Sequence, residues 1–527
     1  MKKHVAESTE ETSPPSGECE HGARSGTHID DLKQIVSGTG INLIGSVSRT
    51  IFNFLYAVFL ALFLSPGNVG LYYLGFTIFS ILGTVAYLGL DTGILRYVAI
   101  YDGAGDRERV RGTIAGAIAM GVPFAIVLGS MVFIFAAPIS VDLFSKPGLT
   151  GVMKGFGVAI PVYVLARYFN ASTQGLRQMK YQVYSRDTTE QMLKFILSAG
   201  VLGSGLGLLG VVHAYIAALV IALIMSFYFL QKVEPVFSLH LKRIYRQRQL
   251  VSYSAPLAVS ALLGIMLLWV DTLFLGHFRS ADEVGIYSIA MRLAVVGSMV
   301  LVSFNTMFAP LVSDFYNRGE RDRLERLLRS VTKWIAALSL PIFLALALYP
   351  QQALSVMGSQ YQAGATVLIV LCMGKMFDAL SGPVSFTLIM CGRPRVVLFI
   401  NILAFLSDVV LCLILIPRYG ATGAALALGA TLVLFNLSSY SGVRSLLKLQ
   451  PFSSGYFKVI GAAAVSVLLA LVFKELTPHP WNLAVSFVAF AGCYAVLIYK
   501  LVFDSTDMML INMIWMKLAN RNVKETA

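Results

Sequence analysis

The sequence predicts an all-α polytopic membrane protein of about fourteen transmembrane helices: two parallel six-helix repeats around a central cleft, followed by two C-terminal helices. Three observations predict it: composition, the placement of charge, and an internal repeat. Of 527 residues, 57% are hydrophobic and only 13% charged, against about 25% charged in a water-soluble domain. Mean hydropathy is +0.73. Apolar runs of about 18 or more residues recur along the chain, each long enough to cross a hydrocarbon core of about 30 Å. The alternating segments of about ten residues that mark a transmembrane β-barrel are absent.

The first stretch, residues 1–34, reads as a disordered cytoplasmic tail rich in Glu, Ser, Thr, Gly and Pro, without the apolar core of a signal peptide. Cys19, His21 and His28 lie in it with no further ligand, so no metal site is assigned. Apolar segments then follow near 40–64, 70–95, 112–137, 151–173, 189–206 and 210–231, forming an N-terminal bundle over 35–232. A basic cytoplasmic linker, 233–250, leads to segments near 251–277, 284–311, 330–350, 361–390, 396–416 and 421–443, a second bundle over 251–449. Two additional segments, near 457–473 and 481–503, occupy 450–505, and 506–527 form a cytoplasmic tail. Cys372, Cys391, Cys412 and Cys493 lie in or beside apolar runs without metal or redox spacing and read as small reduced apolar residues.

The formal net charge is +13, and its location explains it. Loops after even-numbered segments carry Arg107, Arg109 and Arg111; Arg177, Lys180 and Arg186; Lys232, Lys242, Arg243, Arg246 and Arg248; Arg318, Arg321, Arg323 and Arg326; Arg393 and Arg395; and Arg444 and Lys448. Loops after odd-numbered segments hold only Lys146, Arg279, Arg418 and Lys474. The positive-inside bias therefore predicts cytoplasmic termini. The basic loops touch anionic membrane lipids in this reading, and no nucleic-acid partner is expected.

The repeat is carried by V-G-[LI]-Y at Val69–Tyr72 and again at Val284–Tyr287, 215 residues on. Tyr101 and Tyr316 are also 215 apart, Gly175 and Gly392 are 217 apart, and G-x-x-G at Gly207 and Gly420 recurs after 213. Four anchors in one order at nearly constant offset mark a duplication. Six segments separate each pair, so both halves cross in the same sense about an axis along the membrane normal, the parallel repeat of transporters with two rocking bundles. S-P-G-N before the first copy and Asp282-Glu283 before the second read as helix starts.

SPGNVGLYYLG, GLDTGILRYVA, WVDTLFLGHFRSADEVGIYSIAMRLA and IPRYGATGAALA together resemble the polysaccharide-flippase branch (O-antigen and teichoic-acid type) of the multidrug/oligosaccharidyl-lipid/polysaccharide (MOP) transporter superfamily, over about residues 35–450. The resemblance implies alternating-access translocation of a polyprenyl-linked glycan across the plasma membrane, with glycan polymerase or glycosyltransferases as possible partners. It also implies cleft arginines on segments 1, 2 and 8, where this chain has Arg49, Arg96 and Arg292.

The residues themselves support a polar cleft. Arg49 and Arg292 lie eight or nine residues into their segments, deep enough that each charge needs a reason. A structural ion pair, or snorkelling to the interface, is the competing reading. Arg96 closes the inner end of segment 2, where a membrane-edge role competes with a substrate role. Asp91 and Asp271 are candidate ion-pair partners or proton carriers; Asp91 and Arg96, five apart, do not face each other. Lys375 and Asp378, three apart, are expected to pair, with coupling as the alternative. His213 reads as interfacial, and Pro123, Pro161, Pro256, Pro341 and Pro383 as bends. No cofactor is expected beyond a coupling ion, H+ or Na+. A multidrug exporter of the same superfamily is the alternative, and it would need an acidic cleft. An enzyme is a weaker one, since the outer loops are short and no catalytic residue or motif such as HExxH is present.

Overall fold

The structure, a computed structural model, describes residues 45, 48–236, 242, 244–476 and 482–501; the predicted tails 1–34 and 506–527, with Cys19, His21 and His28, lie outside them. Among the described residues the regular structure is all helix, with no strand. In chain order the helices are α1 Ser48–Phe63, α2 Pro66–Ala86, α3 Leu90–Gly103, α4 Arg107–Ile134, α5 Leu149–Gly175, α6 Glu190–Gly203 and α7 Gly207–Val233. The second half has α8 Gln247–Phe278, α9 Ala281–Asn317, α10 Arg321–Leu348, α11 Ala365–Ser381 and α12 Pro394–Gly442, followed by α13 Ser454–Leu476 and α14 Asn482–Leu501. Among the described residues, eleven helices are long and apolar enough to cross a membrane. The fold is therefore the expected multi-pass helical bundle. The eleven treat α12 as one run, although it turns at Gly420 (φ 57°, ψ −133°), a backbone that favours glycine.

The duplicated motif begins each second helix in the same way. Ser65 caps α2 by accepting from the Asn68 N–H, and Ser280, 215 residues on, caps α9 by accepting from the Glu283 N–H. Asp282 and Glu283 fill the first turn of α9, while the cap itself is the serine.

The glycines of the motif explain its recurrence. A Cβ on Gly70 would lie 1.9 Å from the Ala281 carbonyl oxygen, and one on Gly285 would lie 2.0 Å from that of Pro66. The two contacts are related by the same 215-residue offset, so the pseudo-two-fold axis passes through this crossing of α2 and α9. Only a hydrogen at both positions lets the backbones approach this closely.

Prolines 123, 161, 256 and 341 lie inside helices that continue through them. The interruptions fall elsewhere. Leu88 and Gly89, both left-handed, separate α2 from α3, and Gly382 (φ 71°) with Pro383 ends α11. The last two helices pack on each other and on α10, where Tyr494 donates to the Ala337 carbonyl.

Candidate functional site between the halves

Arg292, on α9, stands where the halves meet. Its guanidinium carbon is 4.9 Å from the ring centre of Tyr73, on α2 of the other half, and 5.2 Å from that of Trp269 on α8. Among the described residues no ion pair joins Arg292 to a carboxylate. Aromatic faces stabilise such a cation only partly, and the Tyr73 side chain is also its hydrogen-bond partner.

Arg49, a third exposed, is held by Asp187 at 3.1 Å. Asp187 lies in a π-helical segment, Val183–Thr189, that extends α6 towards its N-terminus. Such wide turns often accompany functional sites, because they rotate side chains off the regular helical face. Here Arg186, Asp187 and Glu190 all come within electrostatic reach of Arg49. Arg186, expected in a loop, is thus part of the helix.

Lys194, one turn further along α6, is buried. It donates to the Asn53 side-chain oxygen at 2.9 Å and to that of Gln191 at 2.7 Å, and its nitrogen lies 4.5 Å from the Tyr56 ring centre. Arg292 and Glu190 are both within its electrostatic reach. Asp91 pairs with Arg167 at 2.8 Å, and the Arg167 guanidinium stacks on Tyr87. Arg49, Arg167, Arg186, Lys194 and Arg292 thus face Asp91, Asp187 and Glu190, a formal excess of two positive charges.

Arg96 is exposed and stacks on Tyr253 of α8, 4.2 Å from its centre, near the Arg107 end of the seam between the halves. Asp91 and Arg96 do not pair, as their spacing required.

A second buried centre, within the C-terminal half, is acidic. Asp271 is buried on α8 and accepts from the Tyr287 hydroxyl and from the Thr272 N–H. Asp408, fully buried on α12, accepts from Thr431 at 3.1 Å, while its second oxygen has no hydrogen-bond partner. The two carboxyls lie within electrostatic reach of each other, and Lys375 within reach of Asp271. The expected Lys375–Asp378 pair does not form. Asp378 instead accepts from Asn436 of α12 at 2.8 Å, because α12 packs beside α11 and offers a closer donor than the helix's own lysine.

The profile of the family described as "Polysaccharide biosynthesis protein" matches residues 35–316, more than half of the chain. The chain belongs to this family. A second profile, MatE, matches 256–414. The Haloferax volcanii protein named "Probable low-salt glycan biosynthesis flippase Agl15" is 23% identical over 374 residues, covering 68% of this chain and 77% of its own. Among solved structures, the lipid II flippase MurJ in an inward closed conformation superposes with a TM-score of 0.69 at 12% identity. That match covers 89% of this chain and 99% of MurJ. An inward-facing multidrug transporter of the MATE family gives 0.61 at 15% identity over 76% of this chain and 94% of its own. The family member is thus of the MOP superfamily, as its motifs implied.

Sequence reasoning did not single out Arg167, Lys194 or Asp408. All three lie inside apolar segments, and the depth argument applied to Arg49 and Arg292 would have found them.

Proposed function

We propose that the chain is a flippase that carries a polyprenyl-pyrophosphate-linked oligosaccharide or polysaccharide precursor across the plasma membrane by alternating access of its two halves. The observation that carries this reading is Arg292, a deep cation between the halves with aromatic rings but no carboxylate against it. Family membership and the flippase relative support it. The substrate's phosphates supply the missing anion, its glycan occupies the polar space, and its tail stays in lipid.

Arg49 reaches the same head by exchanging Asp187 for phosphate, and Arg96 meets it first at the mouth of the seam. In this reading the termini and the Arg107 face are cytoplasmic and the Ser65 face is outside. The protein moves its substrate without changing a covalent bond. A polymerase or glycosyltransferases would supply and consume that substrate.

Coupling falls to the acidic centre of the C-terminal half. Two neighbouring buried carboxylates repel unless a proton or cation is shared between them, so Asp271 and Asp408 are the pair that would take up H+ or Na+. Asp91 and Asp378 are already committed to Arg167 and Asn436. The match to MatE over 256–414 favours a second reading, a multidrug exporter. The positive excess in the cleft opposes it, because organic cations would be repelled.

Reconstituted vesicles test the choice. Arg292→Ala is expected to cut flipping of a polyprenyl-pyrophosphate glycan roughly a hundredfold, by analogy with truncating one member of a buried charge contact. Lys should rescue poorly, because it lacks the planar fork. Normal flipping by both Arg292→Ala and Arg49→Ala would overturn the cationic cleft, and efflux of organic cations by the parent would favour the exporter.

A further inference from the structure

On the Ser65 face each half caps a helix of the other. The Lys146 ammonium, in the N-terminal half, donates to the carbonyls of Gly276 at 2.5 Å and Arg279 at 2.7 Å, the last turn of α8. Gln360, in the C-terminal half, donates through its side-chain nitrogen to the carbonyls of Ala61 at 3.1 Å and Leu64 at 3.2 Å, the last turn of α1. The four acceptors are two equivalent pairs: Ala61 and Gly276 are 215 apart, as are Leu64 and Arg279. The donors, 214 apart, are equivalents too. Both stand just beyond a left-handed residue, Ser145 (φ 53°) or Gly358 (φ 122°), which turns the chain back across the seam.

The last carbonyls of a helix have no partner within it and must be satisfied from outside. A cap from the same half survives any motion of the halves. Arg279 is of that kind, donating to the Ile416 and Pro417 carbonyls within the C-terminal half. A cap supplied by the other half exists only while the two touch. Lys146 and Gln360 are of this second kind, and they flank the Gly70–Gly285 crossing at which the backbones touch. They are not equal in strength. A cation at a helix C-terminus also gains from the macrodipole, whereas an amide gains only hydrogen bonds. Burial pulls the Lys146 pKa below its ordinary value, consistent with an ammonium drawn out of water.

We propose that Lys146 and Gln360 form a reciprocal latch that holds the Ser65 face shut and must release on both sides of the axis before the cleft can open there. The inference rests on the alternating access of the proposed function. Its test reads the opening itself, without substrate. Spin labels on unnatural amino acids at Leu206 and Tyr419, exposed residues at equivalent places on this face, report the distance between the halves and leave the native cysteines in place.

Lys146→Ala is expected to raise the ratio of long to short distances roughly tenfold, the loss of charge-assisted bonds. Gln360→Ala should raise it several-fold, and the double variant more than either. Lys146→Gln, which keeps a donor but loses the charge, should fall between the parent and Lys146→Ala. An unchanged distance distribution in the folded double variant overturns the latch, and so does a loss of thermal stability in Lys146→Ala with no change in distance. Should the alanine variants not fold, Gln360→Lys carries the test: it should lower the long-distance fraction several-fold, and an unchanged fraction overturns the proposal. Loss of flipping with normal distances indicts the cationic cleft, and altered distances with an intact cleft support the latch.

Discussion

In the N-terminal half, Tyr56 and Tyr72 meet edge to face, 6.1 Å apart, with the Lys194 ammonium over Tyr56. At the equivalent places in the C-terminal half, 215, 215 and 214 residues on, stand Asp271, Tyr287 and Asp408. Tyr287 keeps its tyrosine and turns its hydroxyl onto Asp271. The duplication therefore preserved a buried polar centre in each half and gave the two opposite signs. Arg292 has a neutral equivalent, Thr77, in the other half, so the cation between the halves also comes from one side only. Two identical halves would present the same charge twice, and an anionic substrate and a cationic coupling ion would compete for both. Under the proposed function, opposite centres on a common scaffold would keep the two apart, although Arg292 and the acidic pair belong to the same half.

The largest expected effect that tests this contrast is at the cationic centre. Lys194→Met removes the ammonium and leaves the Asn53 and Gln191 oxygens without their donor in a buried place. The cost should be about 3 kcal/mol, the range for breaking one side of a buried charged network. A fall in the midpoint of thermal unfolding checks it, and an unchanged midpoint would mean that Lys194 carries no structural role.

The equivalent tyrosines sharpen the comparison at smaller magnitude. Tyr287→Phe takes a donor from a buried carboxylate, whose remaining bonds from Thr272 all reach its other oxygen. About 2 kcal/mol should be lost. In the other half the Tyr72 hydroxyl bonds the neutral hydroxyl of Tyr56, so Tyr72→Phe should cost less than about 1 kcal/mol. Equal losses in the two variants would mean that charge does not distinguish the centres.

This contrast was only half legible in the sequence. The duplication could be read because Gly70 and Gly285 are fixed by backbone contact across the axis, and such a contact leaves a motif. Arg292 could be read because a deep charge is conspicuous in an apolar run. Asp187 could not, because the π-helical turn carries the helix past the expected boundary at residue 189, so Arg186 and Asp187 read as loop. The Lys375–Asp378 pair failed for another reason. Spacing along one helix says which residues can meet, but not that Asn436 on a neighbouring helix stands closer. Lys146 and Gln360 look like ordinary outer-loop residues in the sequence. Their role follows only from which half's carbonyls they reach.

The last effect is small, has the opposite sign and separates the two centres most sharply. Asp408 is fully buried, shares its surroundings with Asp271, and leaves one carboxylate oxygen without a partner. Asp408→Asn keeps the shape, removes a like charge from beside Asp271 and can still accept from Thr431. Neutralising one of two repelling buried carboxylates should therefore raise stability, by about 1 kcal/mol, whereas neutralising Lys194 lowers it. If Asp408 serves coupling, the same variant should lose the dependence of flipping on an H+ or Na+ gradient while gaining in thermal unfolding midpoint. A variant that instead unfolds earlier, with gradient dependence intact, would show that Asp408 is a structural acceptor for Thr431 and that the acidic centre is not where the ion is taken up.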